Sequence, residues 1–301
     1  MAAPQTLKIA AAQYPIGQPG SLGEWEDKIA TWVHAGAATG AELLVFPEYA
    51  AIEQAACFGP EVYNDLTTTL ERVAELAPAR VALHAALAKK HNVHILVGSG
   101  PAKDGHRFVN AAQLVTPAGS VGVQEKLIMT PFEHDWGVTA GGPLRVFETR
   151  LGKIAVLICY DSEFPLLARA AVEAGTDAIL VPSCTERISG YHRVRTGSKA
   201  RALENTIVTV QSPTVGDAVW SPAVDHNVGA AGIYVPPENG VSDDGILAQG
   251  TLNESMWVSA AVDLAALRRL RTSGEMRNFG DWPSQPGAEP LKHTVETVTL
   301  A

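Results

Sequence analysis

Hydrophobic and polar positions follow two alternating periods along most of the chain. Leu7 to Gln13 is an apolar run of the kind buried on both faces of a sheet, and it predicts a strand. From Gly23 to Thr39 the apolar residues Trp25, Ile29, Trp32, Val33 and Ala37 recur at helical spacing, and Gly40 suits a helix C-terminal cap. Leu43-Leu44-Val45-Phe46 is then a wholly apolar strand, stopped by Pro47. Asp65 to Lys90 reads as helix with a break near Pro78, since proline cannot continue a helix interior. Val93 to Gly98 predicts the next strand. Asn110 to Val115 and Val121 to Lys126 predict two more, joined by the turn-forming string from Thr116 to Ser120.

A second round has the same character. Lys153 to Ile158 predicts a strand, Phe164 to Ala174 a helix closed by Gly175, and Ala178 to Val181 a strand stopped by Pro182. A helix over His192 to Asn205, strands over Thr206 to Gln211, Gly229 to Val235 and Met256 to Val262, and a short helix near Leu264 to Arg271 complete it. The remaining residues are polar and rich in Gly and Pro. They are expected to wrap the surface or a partner, which gives one domain over 1–272 and a tail over 273–301. One internal echo stands out. Gly40 to Pro47 and Gly175 to Pro182 each run from a helix-ending Gly through an acidic residue and an apolar strand to a Pro. Either the chain contains a duplicated half, or any βαβ unit looks this way. Both segments deliver their next residues to the carboxyl edge of a sheet, where open α/β sheets build sites.

Composition narrows the possibilities. A chain of 301 residues, 46% apolar and 18% charged, has the core of one large domain or two fused halves and is not disordered as a whole. Its 23 basic residues against 32 acidic ones give a net charge of −9, which argues against nucleic acid as the main partner. No apolar run is long enough for a membrane span, and no export signal is visible at the N-terminus. Cys57, Cys159 and Cys184 are too few for a disulfide framework, and a reducing cytoplasmic location is expected.

The question is then whether one of these thiols is a nucleophile. Cys159 follows an apolar strand and precedes a helix. Such a turn exposes a side chain at the sheet edge, aims backbone N–H groups at an incoming oxygen, and favours thiolate through the helix N-terminus. A buried structural thiol is the alternative. Glu48 follows the strand ending at Pro47, as a capping group or as a base whose pKa burial would raise. Lys126 ends an alternating strand, as a working ammonium or a snorkelling surface lysine. His91 and His94 lack the Glu of a zinc-protease helix and read as surface polarity. No serine-hydrolase elbow, phosphate loop or dinucleotide fingerprint is present.

Taken together, Val45-Phe46-Pro47-Glu48, Glu125-Lys126 and Ile158-Cys159-Tyr160-Asp161 with Phe164-Pro165 resemble the carbon–nitrogen hydrolase (nitrilase) superfamily, in that order along the chain. The resemblance extends from Gln13 to about Arg271. It includes Ala200 to Asn205, similar to the family's helix after the nucleophile strand, and Asn110 to Gly119, similar to the hairpin before its lysine. It implies an α/β fold, a four-layer α-β-β-α sandwich, with Glu48 as general base, Lys126 as oxyanion stabiliser, Cys159 as nucleophile and the Tyr160 backbone N–H as a second oxyanion donor. A second glutamate after the lysine is matched by Glu133. Tyr49, Trp136, Cys184 and Tyr191 are the candidates for lining the substrate pocket. No metal or organic cofactor is implied, the partner is a small-molecule amide, and homodimers or larger assemblies are expected.

Two features depart from the pattern. The residues before the lysine are Gln124 and Glu125 rather than an aromatic and a basic residue, although strand alternation aims Glu125 away from Lys126. The segment Met276 to Trp282 matches no catalytic motif. Asp161 and Arg169 are expected to form caps or ion pairs, and Arg201 to pair with Glu204 along one helix. Tyr160-Asp161 after the cysteine resembles the amidase branches more than the nitrilases. The expected reaction is therefore amide hydrolysis, with nitrile hydrolysis, carbamoyl-amine hydrolysis and non-catalytic binding as alternatives.

Overall fold

The computed structural model describes residues 6–285, 288 and 295–300. Strand β1 (Thr6–Pro15) leads into α1 (Leu22–Ala38), which Ser21 caps by accepting from the Glu24 amide and which Gly40 follows at φ +80°. Strand β2 (Leu43–Val45) is followed by a 3₁₀ segment (Ala50–Phe58) and by α2 (Pro60–Tyr63), α3 (Leu66–Glu75) and α4 (Ala77–His91). The break falls at Leu76 because proline is tolerated in a helix's first turn, where α4 holds Pro78. The meander β3 (His94–Asp104), β4 (Arg107–Val115), β5 (Val121–Glu125) comes next. His94 is buried, not surface polarity, since it opens a strand covered on both faces.

A short α5 (Pro131–Asp135) and the hairpin β6 (Leu144–Thr149), β7 (Gly152–Val156) follow. After a 3₁₀ turn (Cys159–Glu163) come α6 (Pro165–Glu173), β8 (Ala178–Ser183), α7 (Ile188–Asn205) and β9 (Val208–Asp217). The remaining elements are β10 (His226–Asn227), β11 (Gly232–Tyr234), β12 (Ile246–Gln249), β13 (Met256–Asp263), α8 (Leu264–Ser273), α9 (Asn278–Asp281) and β14 (Val295–Thr299). Strand β8 continues through Pro182 to Ser183, and α7 starts four residues before the expected His192.

The strands form two half-sheets with one pairing pattern. In the first, β13-β1-β2-β3-β4-β5 pair antiparallel, parallel, parallel, antiparallel, antiparallel. In the second, β6-β7-β8-β9-β11-β12 pair in the same succession of senses. The echoed segments are β2 and β8, the strands with parallel neighbours on both sides. The end of β1 joins the halves, with Tyr14 and Pro15 beside Thr214 and Val215 of β9.

Alternation along β1 shows the layering. Leu7, Ile9 and Ala11 pack into a core shared with β7, β8 and β9, whereas Ala10, Ala12 and Tyr14 pack with Trp25, Ile29 and Val33 of α1 and Leu87 of α4. Helices α6 and α7 cover the outer face of the other half. The result is the α-β-β-α sandwich, and strands buried on both faces explain the unbroken apolar runs. The tail contributes β14 as an edge strand beside β6. Arg169 bonds Glu173 and the Phe279 carbonyl, with its guanidinium over the Phe279 and Trp282 rings. Among the described residues no helix is long and apolar enough to cross a membrane.

Candidate active site

Glu48 sits on a bend just past β2. Gly98, at φ +88°, lets β3 approach that bend, because a Cβ there would lie 2.3 Å from the Pro47 carbonyl oxygen. Tyr49 takes up the bend at φ +55°. The Glu48 carboxylate is buried and accepts from the Lys126 ammonium at 2.7 Å, from Asn110 Nδ2 at 2.9 Å and from the Cys184 backbone N–H at 3.0 Å.

Lys126 follows β5, held by its N–H to the Asn110 carbonyl. It is 1% exposed, so it is not a snorkelling surface residue. Its ammonium also donates to Glu133 Oε2 at 2.7 Å. Glu133 is fixed by a capping box with Thr130 at the start of α5, and its other oxygen accepts from Tyr49 at 2.8 Å and Asn110 at 3.0 Å. Glu125 does point away, accepting from the Gly142 N–H at 2.5 Å.

Cys159 occupies the left-handed region at φ +48°, where non-glycine residues are strained. Strand β7 ends at Val156, two residues short of the expected Ile158, and the chain turns through Cys159–Glu163 before α6 begins at Pro165. Asp161 ties this turn to the lysine. Its buried carboxylate accepts from the N–H groups of Ile158, Leu127 and Ile128 at 3.2, 3.2 and 2.8 Å. Gly197 of α7 packs on the turn, where a Cβ would meet the Ser162 oxygen at 2.9 Å. Arg201 donates to the same oxygen and pairs with Glu204 through two bonds of 2.9 Å. The Cys159 thiol lies 3.8 Å from the Cys184 carbonyl, close enough to Glu48 and Lys126 for both charges to act on it.

The electrostatics separate these groups. Burial works against the Lys126 ammonium, but Glu48 and Glu133 outweigh it and raise its pKa. Burial also works against the Glu133 carboxylate, but Lys126, Thr130 and Asn110 outweigh it and hold the pKa low. Glu48 goes the other way: burial and the Glu133 charge raise its pKa despite Lys126. Of the two carboxylates, Glu133 is the fixed anion and Glu48 the one suited to exchange a proton. Burial and the Glu48 charge push the Cys159 thiol up as well. The thiolate expected from a helix N-terminus is therefore not the resting form, because α6 starts six residues later and the thiol is buried.

These side chains open into a cavity of about 760 Å³ lined by Glu48, Tyr49, Lys126, Glu133, Trp136, Cys159, Tyr160 and Cys184, and further out by Glu163, Arg193 and His226. Tyr191 does not line it. Because α7 begins at Ile188, Gly190, Arg193 and Val194 face the cavity, while Tyr191 lies about 100° around the helix from Gly190 and is buried. Asn110, the amide that bridges both glutamates, was missed among the site candidates. A polar residue fully buried in an apolar strand was the available signal. The Thr130-to-Glu133 capping box was a second.

The family model for carbon–nitrogen hydrolases matches residues 8–271. The chain belongs to the carbon–nitrogen hydrolase family. A probable hydrolase of Bacillus subtilis, YhcX, is 37% identical over 91% of this chain, and the chain spans about half (53%) of that relative's length. An omega-amidase of Xenopus laevis, NIT2-B, is 25% identical over 81% of this chain and 85% of its own. Among solved structures, a double mutant of the amidase from Nesterenkonia sp. AN1 in complex with acrylamide superposes with a TM-score of 0.68 at 20% identity, covering 89% of this chain and 95% of that one. The family match makes the carbon–nitrogen hydrolase fold the frame for the buried Glu48, Lys126, Glu133 and Cys159.

Proposed function

We propose that the protein hydrolyses the carbon–nitrogen bond of a small amide through a thioester on Cys159. The observation that carries this reading is the buried Glu48 carboxylate, bonded to the Lys126 ammonium at 2.7 Å and lining one cavity with the Cys159 thiol. Glu48 takes the thiol proton as sulfur attacks the amide carbon. The carbonyl oxygen becomes an oxyanion facing the Lys126 ammonium and the Tyr160 backbone N–H. Glu48 then gives its proton to the nitrogen, which leaves as ammonia or an amine, and the thioester remains. Glu48 next takes a proton from water, whose oxygen attacks the thioester carbon. The carboxylic acid leaves, and the proton returns to the sulfur. Glu133 keeps Lys126 oriented and charged throughout. The relatives include both omega-amidases and nitrilases, and the preference for an amide over a nitrile rests on the resemblance of Tyr160-Asp161 to the amidase branches. We further propose a cytoplasmic homo-oligomer, supported by three free thiols and the family resemblance.

The test is ammonia release from a panel of amides and matched nitriles, using wild type and Cys159→Ala. Amide turnover that disappears with the thiol supports the reading. Turnover of nitriles alone, or retained activity in Cys159→Ala, overturns it.

A further inference from the structure

The cavity is lined by the carboxylates of Glu48, Glu133, Glu163, Glu186 and Asp225 and by the cations Lys126, Arg187 and Arg193. Glu48 and Glu133 are committed to Lys126. Glu163 is not. It closes the 3₁₀ turn that begins with Cys159, and its side chain is 20% exposed on the cavity wall. Its ionic partner, Arg193, is 62% exposed and 3.6 Å away, too long for a strong hydrogen bond. A pair of this kind between a half-buried acid and a solvated arginine is weak and exchangeable. Burial raises the Glu163 pKa even with Arg193 beside it, as expected for a carboxylate short of a close counter-ion. The aromatic rings of Tyr49, Trp136 and Tyr160 line the same cavity. An acid among aromatic rings is the chemistry that holds an ammonium group.

We propose that Glu163 is a specificity-determining residue that accepts a cationic group at the far end of the substrate, so that the preferred substrates are amides bearing a distal ammonium. This inference rests on the amide-hydrolase reading and adds its substrate class. Glu163 closes the short turn that Cys159 opens, so a spacer of about four to six carbons between carbonyl and ammonium is the range to test. Arg193 is displaced toward solvent when the substrate's cation takes its place.

The experiment compares hexanamide, 6-aminohexanamide and the monoamide of adipic acid, with ammonia release as the readout for wild type, Glu163→Gln and Glu163→Arg. Wild type is expected to favour the amino amide over the neutral one about tenfold or more in kcat/KM, mainly through KM, the scale at which a pocket contact discriminates. Glu163→Gln should bring that ratio to within about threefold of unity, and Glu163→Arg should turn the preference toward the anionic amide, which a purely structural role for Glu163 would not do. A parallel assay needs no turnover: the rate at which Cys159 is alkylated by a chloroacetamide carrying a distal ammonium, against a neutral analogue, read by mass spectrometry. A Glu163-dependent preference for the cationic reagent supports the inference even if no amide is hydrolysed, in which case only the amidase reading fails. Equal rates for the cationic and neutral reagents, a ratio unchanged in Glu163→Gln, or a wild-type preference for the anionic amide overturns it.

Discussion

Strands β2 and β8 hold equivalent places in the two half-sheets, and register arithmetic pairs the residues beyond them. Pro47 corresponds to Pro182, so Glu48 has Ser183 as its counterpart. Ile9 pairs with Leu43 as Ile154 pairs with Ala178, so Cys159, five residues past Ile154, has Tyr14 as its counterpart. Gly122 pairs with Leu114 as Ala248 pairs with Ile233, so Lys126, four residues past Gly122, answers to Leu252. Glu48 and Lys126 thus come from one half and Cys159 from the other. The reciprocal set of Ser183, Leu252 and Tyr14 holds no carboxylate, ammonium or thiol. A Cβ on Gly250 would lie 1.6 Å from Gln13 Oε1, and the Tyr14 hydroxyl is bound to Glu53. A repeated frame therefore offers two junctions between the halves, and side-chain volume and charge decide which one becomes a site.

Single substitutions at the two junctions test that comparison. Cys159→Ala should remove turnover to the detection limit, a loss of about 10⁴-fold or more, with the circular dichroism spectrum preserved. Glu48→Gln should lower kcat by about 10²–10⁴-fold. Glu48 acts as the carboxylate and its pKa is raised, so wild-type activity should climb with pH through an acid limb above the usual carboxylate range, and Glu48→Gln should lose that limb. Lys126→Met should cost about 10²–10³-fold in kcat as an oxyanion donor. It also strands two buried carboxylates, so denaturant unfolding should show a loss of about 3–5 kcal/mol. Beside the second junction, Gly250→Ala should cost about 1–3 kcal/mol by overpacking against Gln13. Tyr14→Phe, the counterpart of the cysteine, should cost about 1 kcal/mol for one hydrogen bond and leave kcat within about twofold.

Strands with both faces buried were legible in the sequence, because β2 and β8 are unbroken apolar runs. Strand β6, between β14 and β7, was not, since Arg145 and Glu148, three apart and so on opposite faces, break its apolar pattern. The start of α7 was hidden because Arg187 in the cap position makes no side-chain capping bond, and the misplaced start misplaced Tyr191 with it. Glu48, Lys126 and Cys159 were legible as motifs in order. Their convergence was not, because it depends on pairing between distant strands. Nor does any glycine announce the positive φ at Tyr49 and Cys159, where the surrounding fold imposes the conformation.

The central claim is that Cys159 carries the acyl group. Wild-type enzyme quenched in acid during turnover of an amide should gain the mass of the acyl group less one hydrogen, and peptide mapping should assign it to Cys159. An unmodified Cys159 under conditions of demonstrated turnover, or an adduct on Cys57 or Cys184 instead, would contradict the account.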